Sequence, residues 1–265
     1  MSRALPYWHV DAFTDRAFGG NQAAVMPLDH WFEDDLLLAI AGENNFAETA
    51  FCVRDASGEA DWELRWFTPA EEVRLCGHAT LASGHVLLAR DGGERVRFRT
   101  RRAGTLEVAR AGAGYELALP LIRTEPGEWA EAAQLLGAQP QEVWLHPDGY
   151  GVYLFASEDA VRALDPDLRA LGALGNDQFI CTAPGSDTDV VSRVFVPGAG
   201  VDEDSFTGSA HAVLTHFWTE RLGRGSFTAC QASRRGGQAI CRRDGERAVL
   251  SGHCVTVVEG RFFLP

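Results

Sequence analysis

Two copies of a short motif carry residue types that are suited to binding a small anion. Residues 75–79 read LCGHA and residues 206–211 read FTGSAH, and each motif is followed by an apolar run of helical length. Gly77 and Gly208 therefore stand at predicted helix N-termini, where unpaired backbone N–H groups attract a carboxylate or phosphate. Glycine also lets a ligand approach the backbone closely. The alternative, that both glycines only permit tight turns, is disfavoured by the duplication.

The two motifs belong to a longer internal repeat. Residues 65–69 read RWFTP and residues 193–197 read RVFVP, in the same order upstream of the two glycines. Each copy also has an Asn-containing lead-in, NNFAE at 44–48 and GNDQF at 175–179. A duplicated half predicts two similar lobes that face each other across a pseudo-two-fold cleft, which is a natural ligand site.

The hydrophobic pattern predicts an α+β fold in which each lobe is a curved, mainly antiparallel sheet or barrel around a central helix. Segments 79–90 and 210–222 are apolar on nearly every side, which is typical of buried helices. We place the first lobe at 1–112 and the second at 113–254, with a final strand near 255–265 that can return to the first. Further helices are predicted at 31–43, 129–136 and 159–171. Strands are predicted at 7–13, 23–26, 49–53, 62–67, 96–101, 105–109, 116–119, 152–155, 179–182, 189–196, 239–242, 248–251 and 255–258.

Charge and cysteine usage exclude several classes of partner. A net charge of −13 over 265 residues argues against nucleic acid, because phosphate binding needs clustered cations. No apolar stretch approaches the roughly 18 residues of a membrane span, and the N-terminus lacks a signal-peptide core, so we expect a cytoplasmic protein. The six cysteines have no CxxC spacing, so we expect buried, reduced thiols and no zinc or thioredoxin motif.

Four segments together resemble the PhzF-like (phenazine-biosynthesis) isomerase family. These are EVRLCGHATLA at 72–82 with NFAET at 45–49, VDAFT at 10–14 with FGGN at 18–21, DSFTGSAH at 204–211, and QASRRGG at 231–237. The sequence departs from the family pattern at Gln22 and Ser205, where prolines are usual. Both departures leave Glu48 untouched and bear on substrate identity.

The resemblance implies the diaminopimelate-epimerase fold and isomerase chemistry on a small carboxylate, without cofactor or metal. It implies that Glu48 moves the proton, while His78, Asp204 and Ser209 hold the substrate or relay protons. It also implies a tendency to form homodimers. The matching substrate-binding positions are Asn21, Cys76, Gly77, Ala79, Thr207 and Gly208.

A carboxylic acid at position 48 can perform this chemistry. Abstracting a proton next to an unsaturated system needs a base in contact with the carbon and shielded from water. Partial burial would raise the pKa of Glu48 toward working pH, so that one group both takes and returns the proton. The alternative for Glu48 is an ordinary surface acid at a strand end.

The two motif copies differ at the residue before glycine. Related epimerases of this fold use one cysteine before each helix, whereas this chain has Cys76 in the first copy and Thr207 in the second. A threonine hydroxyl is too weak an acid to replace a thiolate. The substitution therefore favours a glutamate-based isomerase, with Cys76 packing against or lining the site.

Three other interpretations compete with the isomerase. A hydrolase would use Ser209, His78, His211 and Asp204, but no Gly-x-Ser-x-Gly turn is present. A metal enzyme would use His78, His85, His211 and His216, whose spacing does not match a His-Glu-x-x-His site. A protein of the same fold could also bind a carboxylate without catalysing a reaction.

Overall fold

The structure is a computed structural model in which residues 3–264 are described. The chain divides into two compact units. The first unit runs to Ala118 and takes back the segment from Ser251 onward, whereas the second unit is Leu119–Leu250. The sequence-based boundaries were 112/113 and 254/255.

The first unit contains two helices and a mixed sheet. Helix α1 is Asp34–Asn44 and helix α2 is Gly77–Asp91. The strands are β1 (Arg3–Ala12), β2 (Asn21–Leu28), β3 (Glu48–Arg54), β4 (Trp62–Phe67), β5 (Glu72–Val73), β6 (Arg95–Thr100), β7 (Thr105–Ala111), β8 (Gly114–Pro120) and, from the end of the chain, β18 (Cys254–Leu264).

Most neighbouring strands of the first unit are antiparallel. Strand β1 pairs with β2 and β18, β3 with β4, β4 with β5, β6 with β7, and β7 with β8, all antiparallel. The parallel pairs are β2 with β3 and β4 with β6. Helix α2 is buried nearly all round, as its apolar sequence predicts. At Gly84 a Cβ would lie 2.3 Å from Val108, so only glycine permits this approach of helix to sheet.

The second unit contains the remaining elements. Its helices are α3 (Ala130–Leu135), α4 (Glu158–Arg162), α5 (Leu168–Leu174) and α6 (Gly208–Leu222). Its strands are β9 (Glu125–Pro126), β10 (Glu142–His146), β11 (Tyr150–Leu154), β12 (Gln178–Pro184), β13 (Val190–Val196), β14 (Val201–Glu203), β15 (Ser226–Gln231), β16 (Gly237–Asp244) and β17 (Arg247–Gly252).

The second unit repeats the strand pairing of the first. Strands β10 and β11 are antiparallel, β11 and β12 parallel, β12 and β13 antiparallel, β13 and β14 antiparallel, and β13 and β15 parallel. This is the order of β1 to β6, with α6 in the place of α2. The duplicated α+β architecture predicted from the sequence is therefore confirmed.

The arginine of each repeat has a structural role. Arg65 on β4 donates two hydrogen bonds to the Glu72 carboxylate, at 2.8 and 2.7 Å. Arg193 on β13 donates two to Glu203, at 2.8 and 3.0 Å. Bidentate pairs of this kind are strong and directional. Each pair ties the strand before the motif to the short strand that leads into the glycine.

The sequence interpretation was wrong or incomplete in several elements. The single helix predicted at 159–171 is two short helices, because Pro166 lacks an N–H and its ring disfavours a continuous helix. The second of these, α5, begins after Asp167, whose side chain accepts a hydrogen bond from the Ala170 N–H at 3.0 Å. The strands that were not predicted are Glu72–Val73, Glu125–Pro126, Glu142–His146, Val201–Glu203 and Ser226–Gln231.

Strand alternation decides which side chains of β3 meet α2. Phe51 and Val53 belong to a hydrophobic cluster with Leu37 and Ile40 of α1. Successive side chains of a strand point to opposite faces. Glu48 is out of phase with Phe51, so its side chain points to the opposite face of β3, toward α2.

No helix within the described residues 3–264 has the length and apolar character that crossing a membrane requires.

Candidate active site

Glu48 is the first residue of β3 and lies against the first turn of α2. Its Oε2 atom is 3.0 Å from Nε2 of His78, the second residue of α2. The His78 side chain is buried, whereas 18% of the Glu48 side chain is exposed. Oε2 itself is buried and has no hydrogen-bond partner, so the contact with His78 is an ion-pair distance without hydrogen-bond geometry. Glu48 thus combines a buried oxygen with partial access to solvent.

The other ring nitrogen of His78 is held by an amide. Nδ2 of Asn21, the first residue of β2, lies 3.1 Å from Nδ1 of His78. Rotating the amide by 180° exchanges its NH₂ group and its carbonyl oxygen. Asn21 can therefore hydrogen-bond to Nδ1 whether or not that nitrogen carries a proton. Asn21 is buried, and its side chain fixes the orientation of the imidazole toward Glu48.

Cys76 precedes the helix and lies beside the same ring. Its Sγ atom is 3.6 Å from Nδ1 and 3.9 Å from Nε2 of His78. Burial, together with the nearby Glu48 charge, raises the pKa of Cys76 to about 11, while His78 opposes that rise. The group is therefore a neutral thiol at neutral pH.

The surroundings of His78 raise its pKa. Burial lowers the pKa, but Cys76 and the Glu48 carboxylate raise it, and the net result lies well above the ordinary value. A carboxylate 3.0 Å from the ring favours the protonated imidazole.

The N-terminus of α2 has no side-chain cap. Cys76 is the N-cap in an extended conformation, and its side chain does not cap the helix. The Thr80 hydroxyl and N–H both bind the Cys76 carbonyl, at 2.5 and 3.2 Å. Gly77 is the first residue of the helix, and Ala79 in the first turn is fully buried. The first backbone N–H groups therefore have no side-chain cap, as the sequence predicts.

The second motif copy is built around a buried amide. Gln231 accepts a hydrogen bond from the Thr207 N–H at 2.9 Å and donates to the Asp204 carbonyl at 2.7 Å. The Thr207 hydroxyl donates to the Asp204 carboxylate at 2.6 Å. These bonds hold the turn before Gly208, the first residue of α6. The sequence analysis placed Asp204, Thr207 and Gly208 here but missed the supporting role of Gln231.

Ser209 has a partner that the sequence analysis did not identify. Gln178, the first residue of β12, lies 3.1 Å from the Ser209 hydroxyl through Nε2 and 3.3 Å through Oε1. Aligning the lead-ins on their shared asparagine sets Phe179 opposite Glu48. The strand pairing instead makes Gln178 the equivalent of Glu48, because each is the first residue of the strand that runs parallel to its neighbour.

The geometry does not support the hydrolase. Nδ1 of His211 lies 2.8 Å from the Thr207 carbonyl, and the ring stacks on Phe206 with centroids 4.2 Å apart. Burial lowers the pKa of His211 to about 4, so the ring is neutral. His211 is thus committed to the backbone of its own helix, and Ser209 hydrogen-bonds to Gln178.

The alternative of a four-histidine metal site is not supported either. His85 contacts the Tyr115 hydroxyl at 3.0 Å and the Thr256 hydroxyl at 2.8 Å, while His216 faces Glu220 at 3.4 Å. Within the described part of the chain, one group has donor atoms close enough for a metal ion. Of the four histidines, that group includes only His78.

Comparisons with known proteins agree with this fold. A family profile described as phenazine biosynthesis-like protein (PhzC-PhzF) matches residues 10–260. The chain is 48% identical over 263 residues to an uncharacterized isomerase of Pseudomonas aeruginosa, covering 98% of this chain and 99% of that protein. A PhzF-family crystal structure from Enterococcus faecalis has a TM-score of 0.91 at 36% identity, covering 99% of this chain and 100% of that one.

A more distant match shows how widely the fold extends. A hydroxyproline epimerase from Agrobacterium vitis has a TM-score of 0.67 at 12% identity, covering 99% of this chain and 93% of that one. Together the matches define the class as an isomerase of the diaminopimelate-epimerase-like fold. Within that class, the chain belongs to the PhzC-PhzF family.

Proposed function

We propose that the protein isomerises a small carboxylate by moving one proton through Glu48. The observation that carries this proposal is the Glu48–His78 pair beside the α2 N-terminus, with an Oε2–Nε2 distance of 3.0 Å. The contact with the buried His78 ring orients the Glu48 carboxylate, which acts as the base. The exposed part of the Glu48 side chain lets that carboxylate reach a bound carbon acid.

The surrounding groups stabilise the negative charge that forms on the substrate when the proton leaves carbon. The helix N-terminus at Gly77 provides backbone N–H groups and a partial positive charge, and His78 adds a full one. Asn21 holds the ring in place, so the cation need not reorganise during the reaction. Glu48, once protonated, exchanges that proton with solvent through its exposed part and delivers a proton to a different carbon, which makes the net reaction an isomerisation.

The substrate class follows from this chemistry. The substrate has a carboxylate or a similar anionic group for a helix N-terminus and a C–H bond made acidic by an adjacent unsaturated or carbonyl group. The distantly similar hydroxyproline epimerase was solved with bound trans-4-hydroxy-L-proline. That compound belongs in a test panel with unsaturated and cyclic carboxylic acids.

Deuterium incorporation tests the proposal directly. The enzyme is incubated with each member of the panel in D₂O, and carbon-bound deuterium is measured by NMR and mass spectrometry. We expect wild-type protein to exchange at least one compound and Glu48→Gln to exchange it about 10²- to 10⁴-fold more slowly, the range that a lost general base costs.

Two controls separate loss of the base from loss of folding or substrate binding. Glu43→Gln, a change at an exposed glutamate of α1, should exchange at the wild-type rate. Glu48→Gln should still bind the compound in a thermal-shift assay, because the amide keeps the shape of the carboxylate. Full exchange by Glu48→Gln would remove glutamate as the base. Binding without exchange by wild-type protein would instead indicate a non-catalytic carboxylate-binding protein.

A further inference from the structure

Three different metal-ligand types converge at the start of α2. One donor atom each from Glu48, Cys76 and His78 lies within 4.8 Å of the others. Nε2 of His78 is 3.0 Å from the Glu48 carboxylate and 3.9 Å from Sγ of Cys76. Neighbouring ligands of a tetrahedral Zn²⁺ ion are about 3.3–3.7 Å apart, given bonds of about 2.0–2.3 Å. The Glu48–His78 contact is within a few tenths of an ångström of that spacing, whereas Sγ of Cys76, which also lies 3.6 Å from Nδ1, must rotate away from Nδ1 to reach a metal on Nε2.

The surroundings of these atoms resemble the outer shell of a metal site. Nδ1 of His78 is held by Asn21 at 3.1 Å, which leaves Nε2 as the ligand atom and fixes the ring's orientation. Oε2 of Glu48 is buried without a hydrogen-bond partner, so an acceptor is available inside the site. Both His78 and Cys76 are more than nine-tenths buried.

Charge balance also favours a divalent ion. A thiolate, a carboxylate and a neutral imidazole bring two negative charges, so Zn²⁺ makes the buried group electrically neutral. A neutral cluster avoids most of the cost of burying an isolated charge. The mixed sulfur, nitrogen and oxygen set suits Zn²⁺ or Co²⁺ better than Mg²⁺ or Ca²⁺, which prefer oxygen ligands alone.

We propose that Glu48, Cys76 and His78 form a Zn²⁺-binding site with an open fourth position. Binding displaces the thiol proton of Cys76 and the ring proton on Nε2 of His78 to solvent, and no redox change occurs. Occupation of the site takes Oε2 of Glu48 as a ligand, so the metal-bound protein cannot use that oxygen as a base. The inhibition rests on the proposed function, whereas metal binding does not.

Cobalt spectroscopy tests the site without a substrate. The full chain, freed of metal with EDTA, is titrated with CoCl₂, and ZnSO₄ is then added in competition. We expect one Co²⁺ per chain, tetrahedral visible bands, and a near-ultraviolet thiolate-to-cobalt band that Zn²⁺ removes. Cys76→Ser should lose the thiolate band, while Cys52→Ser, a change at another buried cysteine of the same unit, should keep it.

Two further variants keep the test independent of folding defects in Cys76→Ser. Glu48→Gln should keep the thiolate band and weaken Zn²⁺ binding. Asn21→Ala should weaken Zn²⁺ binding by about 10- to 100-fold, the usual cost of removing an outer-shell partner. Absence of a thiolate band in wild-type protein, or equal Zn²⁺ affinity in wild type and all three site variants, would overturn the proposal. Either result leaves the Glu48 exchange experiment unaffected.

Discussion

The first turns of α2 and α6 share a backbone arrangement but differ in side-chain charge. Each helix starts at glycine after an extended N-cap residue, and each contacts the first residue of a parallel-paired strand. In the first unit this contact is Glu48 with His78, a charged pair. In the second unit it is Gln178 with Ser209, a neutral pair. The duplicated scaffold therefore places a carboxyl group against a histidine in one unit and an amide against a serine in the other.

The two first turns also differ in the residue that binds the N-cap carbonyl. The N-cap carbonyl is bound by Thr80 in α2 and by His211 in α6, at 2.5 and 2.8 Å. Burial lowers the pKa of His211 to about 4, whereas Cys76 and Glu48 raise the pKa of His78 above its ordinary value. The pKa values of two buried imidazoles are thus shifted in opposite directions, and the difference comes from the groups beside each ring.

The largest expected effect concerns the repeated arginines. Arg65→Met should lower the free energy of unfolding by about 2–4 kcal/mol, because it removes a buried guanidinium that pairs with both Glu72 and Asp34, leaving Arg101 as the partner of Glu72. Arg193→Met should cost less, about 1–3 kcal/mol, because the Arg193 side chain is 14% exposed against 3% for Arg65. Urea denaturation of both variants measures the difference. Equal losses would show that burial does not distinguish the two pairs.

The helix ends should tolerate side chains poorly. Gly208→Val should weaken binding of an exchanged carboxylate by about 100-fold, or about 2.7 kcal/mol, because its methyl groups crowd the N–H groups of the first turn. Gly225→Val is the control in the same unit, since a Cβ there meets no atom within 4 Å. Titration calorimetry compares the two. Unchanged binding by Gly208→Val would restrict anion binding to the first copy.

Gln178→Ala removes the side-chain contact between β12 and α6. We expect it to lower the free energy of unfolding by about 0.5–1.5 kcal/mol, because the hydrogen bond to Ser209 is lost. Gln178→Glu should lose less, since the Ser209 hydroxyl can donate to a carboxylate. Urea denaturation compares the two variants, and unchanged stability of Gln178→Ala would contradict a supporting role for this hydrogen bond.

The smallest expected effect is the pH dependence of stability at His78. The pKa of this group is raised in the folded state, so its contribution is complete below the unfolded pKa of about 6.5 and is lost as pH rises through the folded pKa. The stability gap between wild type and His78→Gln should therefore narrow above neutral pH. His211→Gln should show no such narrowing, because the pKa of His211 is about 4. Urea titrations at several pH values test both.

The sequence alone determined the two glycine motifs, the two buried helices and the duplicated α+β plan. Motif residues lie close together in the chain, and a helix that is apolar on every side is buried in the core. Family resemblance supplied Glu48, His78, Asp204 and Ser209 as candidates. The prediction of one helix at 159–171 was wrong, because it was based on the apolar spacing and gave too little weight to Pro166, which interrupts the helix.

Only the tertiary structure decided which of these residues meet. Glu48 and His78 are brought together by the parallel pairing of β2 with β3, and that register sets which side chains face α2. The equivalent pairing of β11 with β12 brings Gln178 to Ser209, although the local alignment pointed to Phe179. A shift of one residue along a strand reverses the face of every side chain. Register depends on contacts distant in sequence, so a short motif cannot specify it.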